Sequence, residues 1–223
     1  MIRIAIIDNA LDHSIYNPIR HWKICLREKF DVFKATSRQF PDCRDFSHII
    51  LTGSEASIMH REKWAEDEID LVKEAAERGV AILGSCYGHQ LLAVALAGPR
   101  HVRRCANPEI GWISISINQA DGFLGVERSA FCFSSHLDEV MDLPDDFHVF
   151  ASSDQCQVQG FRLINQPIWG LQIHPEINIE EARWYLKKRV ENRHEPLQLF
   201  QAALNSRPRD SGLINQVTKN FLS

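Results

Sequence analysis

The chain has 223 residues, a formal net charge of −4 and an isoelectric point near 6.2, which leaves no basic footprint for nucleic acid. Apolar residues make up 44% and charged residues 24%, a balance close to that of an ordinary soluble globular protein. A chain this long buries a substantial core without disulfide or metal staples, so one compact domain over residues 1–195 with a C-terminal helical extension over 196–223 is expected.

The opening run, Met1-Ile-Arg-Ile-Ala-Ile-Ile-Asp8, is too short and too abruptly ended for a secretory signal, and no apolar stretch approaches a membrane span. Residues 2–7 read instead as a buried strand. Six cysteines with no C-x-x-C pair read as reduced thiols of a cytoplasmic protein. A second buried strand, His48-Ile-Ile-Leu-Thr52, ends at Gly53-Ser54. Over residues 62–78, Trp64, Ile69, Leu71, Val72 and Ala75 recur at helical spacing, and Gly79 caps the helix. A third strand, Val80-Ala-Ile-Leu83, runs through Gly84-Ser85 to Cys86, and residues 88–97 form a helix apolar nearly all round.

Continuous apolar strands alternating with helices predict an α/β fold, a mostly parallel central sheet covered on both faces. The middle of the chain changes period. Trp112-Ile-Ser-Ile-Ser-Ile117 alternates, as do parts of 131–135 and 158–163, which predicts additional antiparallel strands on the sheet or its flank. Residues 168–174 read as a last buried strand and 179–190 as an amphipathic helix. A further helix runs from Pro196 to about Asn205, then a turn-rich break over 206–212. That tail reads either as a helix packed on its own core or as a docking surface. The basic groups Arg103–Arg104 and Lys187–Lys188–Arg189 read as solvated faces.

The most informative segment places Cys86 at a strand-to-helix joint with glycines two before and two after it. This G-x-C-x-G pattern is the cysteine counterpart of a serine nucleophile elbow: a sharp turn leaves no room for side chains at its flanks. The joint sets the sulfur at a helix N-terminus, where the dipole favours thiolate and free N–H groups, notably that of Tyr87, can hold an oxyanion. Among ten histidines, His174 stands at the end of the last buried strand, and Pro175 biases it toward extended backbone. Residues two apart in extended chain face one side, so Glu176 can fix the tautomer of His174 and support its imidazolium. Cys86 with His89, or with His136 and Asp138, are rival sets; His89 lacks a carboxylate partner and His136 follows a more polar run. A zinc site from Cys86, His89 and His174 lacks a spaced ligand pair, so no metal is expected.

At these residues the sequence resembles the class I, triad-type glutamine amidotransferases. The likeness runs from Ile2 to about Trp184, carried by Gly84-Ser-Cys-Tyr-Gly-His-Gln90 and Gly170-Leu-Gln-Ile-His-Pro-Glu176. Leu51-Thr-Gly-Ser54, Glu109-Ile-Gly-Trp112, Ser135-His-Leu-Asp-Glu-Val140 and Ala151-Ser-Ser-Asp-Gln-Cys156 are similar to the free-standing subgroup related to the amidotransferase part of GMP synthetase. The resemblance implies a flavodoxin-like fold and a Cys86–His174–Glu176 triad that attacks the glutamine side-chain amide. It implies an oxyanion hole from the backbone after Gly53, at Ser54, and from Tyr87, with substrate contacts from Gln90, Ser135, His136 and Leu137. It implies no cofactor. Where the family often has Gly-Gly-Pro, this chain has Gly53-Ser54-Glu55, which brings a carboxylate near the site.

The chain carries no Ser-Gly-Gly-x-Asp-Ser loop and no Walker A motif, so it does not activate an ammonia acceptor with ATP itself. Three functions stay open: a subunit delivering ammonia to a separate synthetase, a stand-alone γ-glutamyl hydrolase or peptidase, and an inactive regulatory binding protein. Glutamine or a γ-glutamyl compound is the expected ligand, with no nucleic acid or membrane partner.

Overall fold

The computed structural model describes residues 2–118, 121–125 and 128–223. Among them a single nine-stranded sheet runs through the molecule. Its first half is parallel. In chain order come β1 (Ile4–Asp8), α1 (Pro18–Cys25), β2 (Phe30–Lys34), β3 (His48–Leu51), α2 (Lys63–Glu77), β4 (Ala81–Ser85) and α3 (Tyr87–Leu96). Then follow β5 (Val102–Ile117), β6 (Ser129–Val140), β7 (Phe147–Ser152), β8 (Gly160–Leu163) and β9 (Ile168–Leu171). Helices α4 (Ile179–Glu191), α5 (Leu197–Asn205) and α6 (Ile214–Phe221) close the chain. The strand order is β2-β1-β3-β4-β9-β8-β7-β5-β6, parallel from β2 through β9 and antiparallel from there on.

The parallel strands are apolar throughout because both faces are covered, and their alternation sorts the core. Ala5, Ile7, Ile49, Leu51 and Ile82 pack on the side of α2 and α3. Ile4, Ile6, Ile50 and Leu83 face the opposite side, where Trp22 of α1 and Val217 and Phe221 of α6 bury them. A third cluster joins Tyr16, Phe133 of β6, Tyr185 of α4 and Phe200 of α5. The two tail helices thus pack into two different parts of the core.

The α/β expectation holds, and the added antiparallel strands continue the sheet itself. β5 is far longer than its alternating part suggests, and its pairing with β6 breaks between Arg104 and Glu109. Such an irregularity sharpens bending. The sheet curls enough that β6, at the far edge of the strand order, returns over the end of β9: His174 N–H donates to Phe133 O at 2.8 Å. β2 escaped the sequence reading because Phe-Asp-Val-Phe-Lys is half-exposed edge strand with no buried run. The strand expected over 168–174 ends at Leu171, so His174 sits in the connection beyond it.

Candidate active site

Three neighbouring parallel strands, β3, β4 and β9, bring their C-terminal ends together, and the expected site residues lie just past those ends. Between β4 and α3, Cys86 adopts φ 49° and ψ −100°, a left-handed conformation that few non-glycine residues hold. The turn is anchored on both sides: Cys86 N–H donates to Leu171 O at 2.8 Å and Gly88 N–H to Thr52 O at 3.2 Å. Its glycines are required by close approach. A Cβ on Gly84 would stand 2.5 Å from the Gly88 carbonyl, and one on Gly88 would collide with Leu51 O. The Tyr87 ring is buried against Trp64, with ring centroids 5.5 Å apart, which leaves its backbone facing the site. Among the described residues, neither the Tyr87 nor the Ser54 N–H finds an acceptor.

His174 Nδ1 lies 2.8 Å from Glu176 Oε1, and Ser85 Oγ donates to the same oxygen at 3.0 Å. The two side chains meet although the backbone turns here, with Ile177 N–H donating to His174 O at 3.2 Å. His174 is nearly fully buried. Burial alone would lower its proton affinity, but the charges of the neighbouring Cys86 and Glu176 side chains outweigh that and lift it to about 10. Glu176 feels the converse: burial works to raise its carboxyl, and the adjoining His174 holds it below the usual range. The surroundings of His174 therefore favour its imidazolium form.

A cavity of about 60 Å³ opens beside Cys86, lined among others by Ser54, Tyr87, Gln90, Ser135, His136 and Leu137. Gly53 does not line it; this residue packs between Tyr16 and His174. Cys86 Sγ approaches Ser135 O at 3.7 Å, and Ser135 Oγ lies 3.1 Å from Tyr185 Oη. Gln90 uses its amide nitrogen internally, donating to Asp138 O at 2.7 Å and Gln172 Oε1 at 3.1 Å, so only its carbonyl is left for a ligand. The His136 ring is similarly committed. Its Nε2 meets Glu109 Oε2 at 3.2 Å, and its Nδ1 lies 3.3 Å from Cys105 Sγ and 3.1 Å from Asp138 O. Glu109, His136 and Cys156 have the chemistry of a metal-ligand set. The Glu109 oxygen, however, already accepts from Gln159 Nε2 at 2.6 Å and Ser153 Oγ at 3.0 Å. This cluster braces the β5–β6 bend.

The rival His89 is fully buried against Phe161, and burial pushes its proton affinity down to about 3. The Asp138 carboxylate is tied to Arg104 and Ser57, and only its backbone carbonyl meets the His136 ring. Glu55 lines the cavity and accepts the Leu11 N–H at 2.9 Å; burial raises its carboxyl above the ordinary range.

Sequence reading missed Tyr16, Tyr185, Arg189 and Phe200, all of which line the cavity or a smaller one beside His174. Tyr185 and Arg189 lie four apart on α4, the only local hint of a shared face. The expectation that Arg189 belongs to a solvated basic face is corrected: it is 8% exposed, turned inward over the Tyr185 and Phe200 rings, while Lys187 stays in solvent.

The family model for glutamine amidotransferase class-I matches residues 5–191. A protein of Methanothermobacter thermautotrophicus that carries the name of a subunit of glutamine-hydrolysing GMP synthase is 30% identical over 181 residues, 80% of this chain and 90% of that protein. The GMP synthase of Caldicellulosiruptor saccharolyticus is 36% identical over 130 residues, 58% of this chain but only 24% of that longer protein. The crystal structure of a glutamine amidotransferase from Thermotoga maritima superposes with a TM-score of 0.75 at 20% identity, covering 99% of this chain and 96% of that one. Fold, elbow and profile agree: this chain belongs to the class I glutamine amidotransferase family.

Proposed function

We propose that this chain hydrolyses the side-chain amide of glutamine through Cys86, His174 and Glu176, and passes the ammonia to a separate synthetase. The observation that carries the reading is the buried His174, whose Nδ1 lies 2.8 Å from Glu176 Oε1 and whose proton affinity is raised by the charges of Cys86 and Glu176. The Cys86 thiolate attacks the γ-carboxamide carbon, and the negative oxygen that forms turns to the free N–H groups of Ser54 and Tyr87. His174 Nε2 gives its proton to the departing ammonia. It then takes a proton from water, which attacks the γ-glutamyl thioester and releases glutamate and Cys86. Glu176 keeps Nδ1 protonated throughout. No step calls on a metal or organic cofactor.

The role as a partner of a synthetase rests on relatives whose names make them one subunit of GMP synthase, and this chain spans most of their length. A cytoplasmic location fits this reading and six free cysteines; no helix among the described residues is long and apolar enough to cross a membrane. Residues 196–223 extend beyond the family match, and through Phe200 they supply part of the cavity wall. Glu55, in place of the family's proline, keeps a γ-glutamyl hydrolase as the second reading.

The test is ammonia release from glutamine and from a γ-glutamyl dipeptide by wild type and Cys86→Ala, with and without a GMP synthetase partner. Cys86-dependent release stimulated by that partner supports the proposal. Preference for the dipeptide moves the chain to the second reading, and silence under every condition overturns the catalytic assignment.

A further inference from the structure

A buried guanidinium needs a counter-charge or hydrogen-bond acceptors, because removing an ion from water is costly unless it is paired. Arg189 has neither. Its Nε is buried with no hydrogen-bond partner, and among the described residues no carboxylate forms an ion pair with it. What holds it is aromatic: the guanidinium carbon lies 4.7 Å from the Phe200 ring centroid and 5.8 Å from that of Tyr185. Stacking of this kind fixes the plane of the fork and leaves its edge, with the N–H donors, free. The group lines the same cavity as Cys86. Glu55 lines the same cavity, and among the described residues no ion pair joins it to Arg189.

We propose that Arg189 binds the α-carboxylate of the γ-glutamyl donor and that Glu55 faces its α-ammonium, so that the pair selects a free, zwitterionic amino-acid head. This rests on the reading of Cys86 as the nucleophile. A donor whose γ-carbonyl carbon sits at Cys86 places its charged head two methylenes farther into the cavity, where a planar bidentate donor and a carboxylate are the complementary groups. Phe200 belongs to α5, beyond the matched family segment, and acts as a positioning residue for Arg189. The extension is thereby part of substrate recognition.

The proposal separates from the catalytic reading by measuring binding as well as turnover. Calorimetric titration of Cys86→Ala with L-glutamine, with 4-aminobutyramide (glutamine without its carboxylate) and with glutaramate (glutamine without its ammonium) needs no chemistry. Glutamine is expected to bind about tenfold or more tightly than either truncated compound. Adding Arg189→Met is expected to remove the advantage of glutamine over 4-aminobutyramide while leaving 4-aminobutyramide binding unchanged. Adding Glu55→Gln is expected to do the same for the advantage over glutaramate. In the active chain, Arg189→Met raises KM for glutamine with little change in kcat, and Phe200→Ala does so to a smaller degree. Thermal melts of each variant identify any loss of fold. In that event the unsubstituted Arg189 background still decides: equal binding of glutamine and 4-aminobutyramide overturns the proposal. So does an Arg189→Met variant that keeps the full preference. Tight, Arg189-dependent glutamine binding without turnover would instead leave this inference standing and remove the catalytic one.

Discussion

His174 Nδ1 and Glu176 Oε1 stand 2.8 Å apart in a buried turn where Ser85 Oγ also donates to that carboxylate oxygen, at 3.0 Å. An ion pair this enclosed is not screened by solvent, and it decides which ring nitrogen carries the proton. Glu176→Gln keeps the shape but removes the charge that favours imidazolium. It is expected to lower kcat by roughly 10²- to 10⁴-fold with little loss of thermal stability. The alkaline limb of its pH profile is expected to fall at a lower pH than in wild type. A purely structural role for Glu176 would show as a drop in melting temperature with an unshifted profile.

The pH dependence of wild type follows from the raised His174. In the unfolded chain this histidine loses its proton near 6.5, whereas in the fold it keeps it to about 10. Its contribution to stability is fully present below pH 6.5 and is lost as pH rises toward 10. Turnover is expected to hold across the neutral range and decline on the alkaline side, as His174 loses the proton it gives to ammonia. Stability and kcat measured from pH 6 to 10.5, beside His174→Gln, check both statements; an activity loss centred near 6.5 would contradict them.

Glu68 runs the other way. It is fully buried, and burial pushes its carboxyl up to about 8, with one hydrogen bond from Asn9 Nδ2 at 3.0 Å only partly opposing it. Between pH 4.5 and 8 the fold holds a proton that the unfolded chain has released, so stability falls as pH rises through that window. Glu68→Gln is expected to flatten this slope and to stabilise the protein by roughly 1 to 3 kcal/mol at pH 8. Denaturant titrations at pH 5 and pH 8 measure the difference; an unchanged slope in the variant would refute it.

Cys86 holds φ 49° against the preference of any side-chain-bearing residue. Cys86→Ala and Cys86→Gly are both expected to abolish turnover, but glycine relaxes the turn. The glycine variant is expected to be more stable than the alanine variant by about 1 kcal/mol, a difference of about 2 to 4 °C in Tm for a chain of this size. Gly88→Ala drives a Cβ into Leu51 O and is expected to cost several degrees or prevent folding. Calorimetry on the three variants tests the strain at the elbow directly.

Local sequence determined whatever depends on short-range period and backbone sterics. The buried parallel strands showed as unbroken apolar runs at residues 2–7, 48–52 and 80–83 because both their faces are covered. The elbow showed because Gly84 and Gly88 flank Cys86 at a joint with no space for side chains, and the His174–Glu176 pair because only Pro175 separates them. What the tertiary structure alone decided are encounters between segments far apart in the chain. The curl that returns β6 over β9 follows the break in β5 between Arg104 and Glu109; Pro108 marks that break in the sequence, but nothing local says where the strand then leads. The inward turn of the His136 ring toward Glu109 and Cys105 follows from that bend. Arg189 reads in sequence as one of three basic residues in a row, and only the docking of α5 makes it a buried cation facing the cavity. Periodicity reports which face of an element is covered; it carries no record of which distant element covers it.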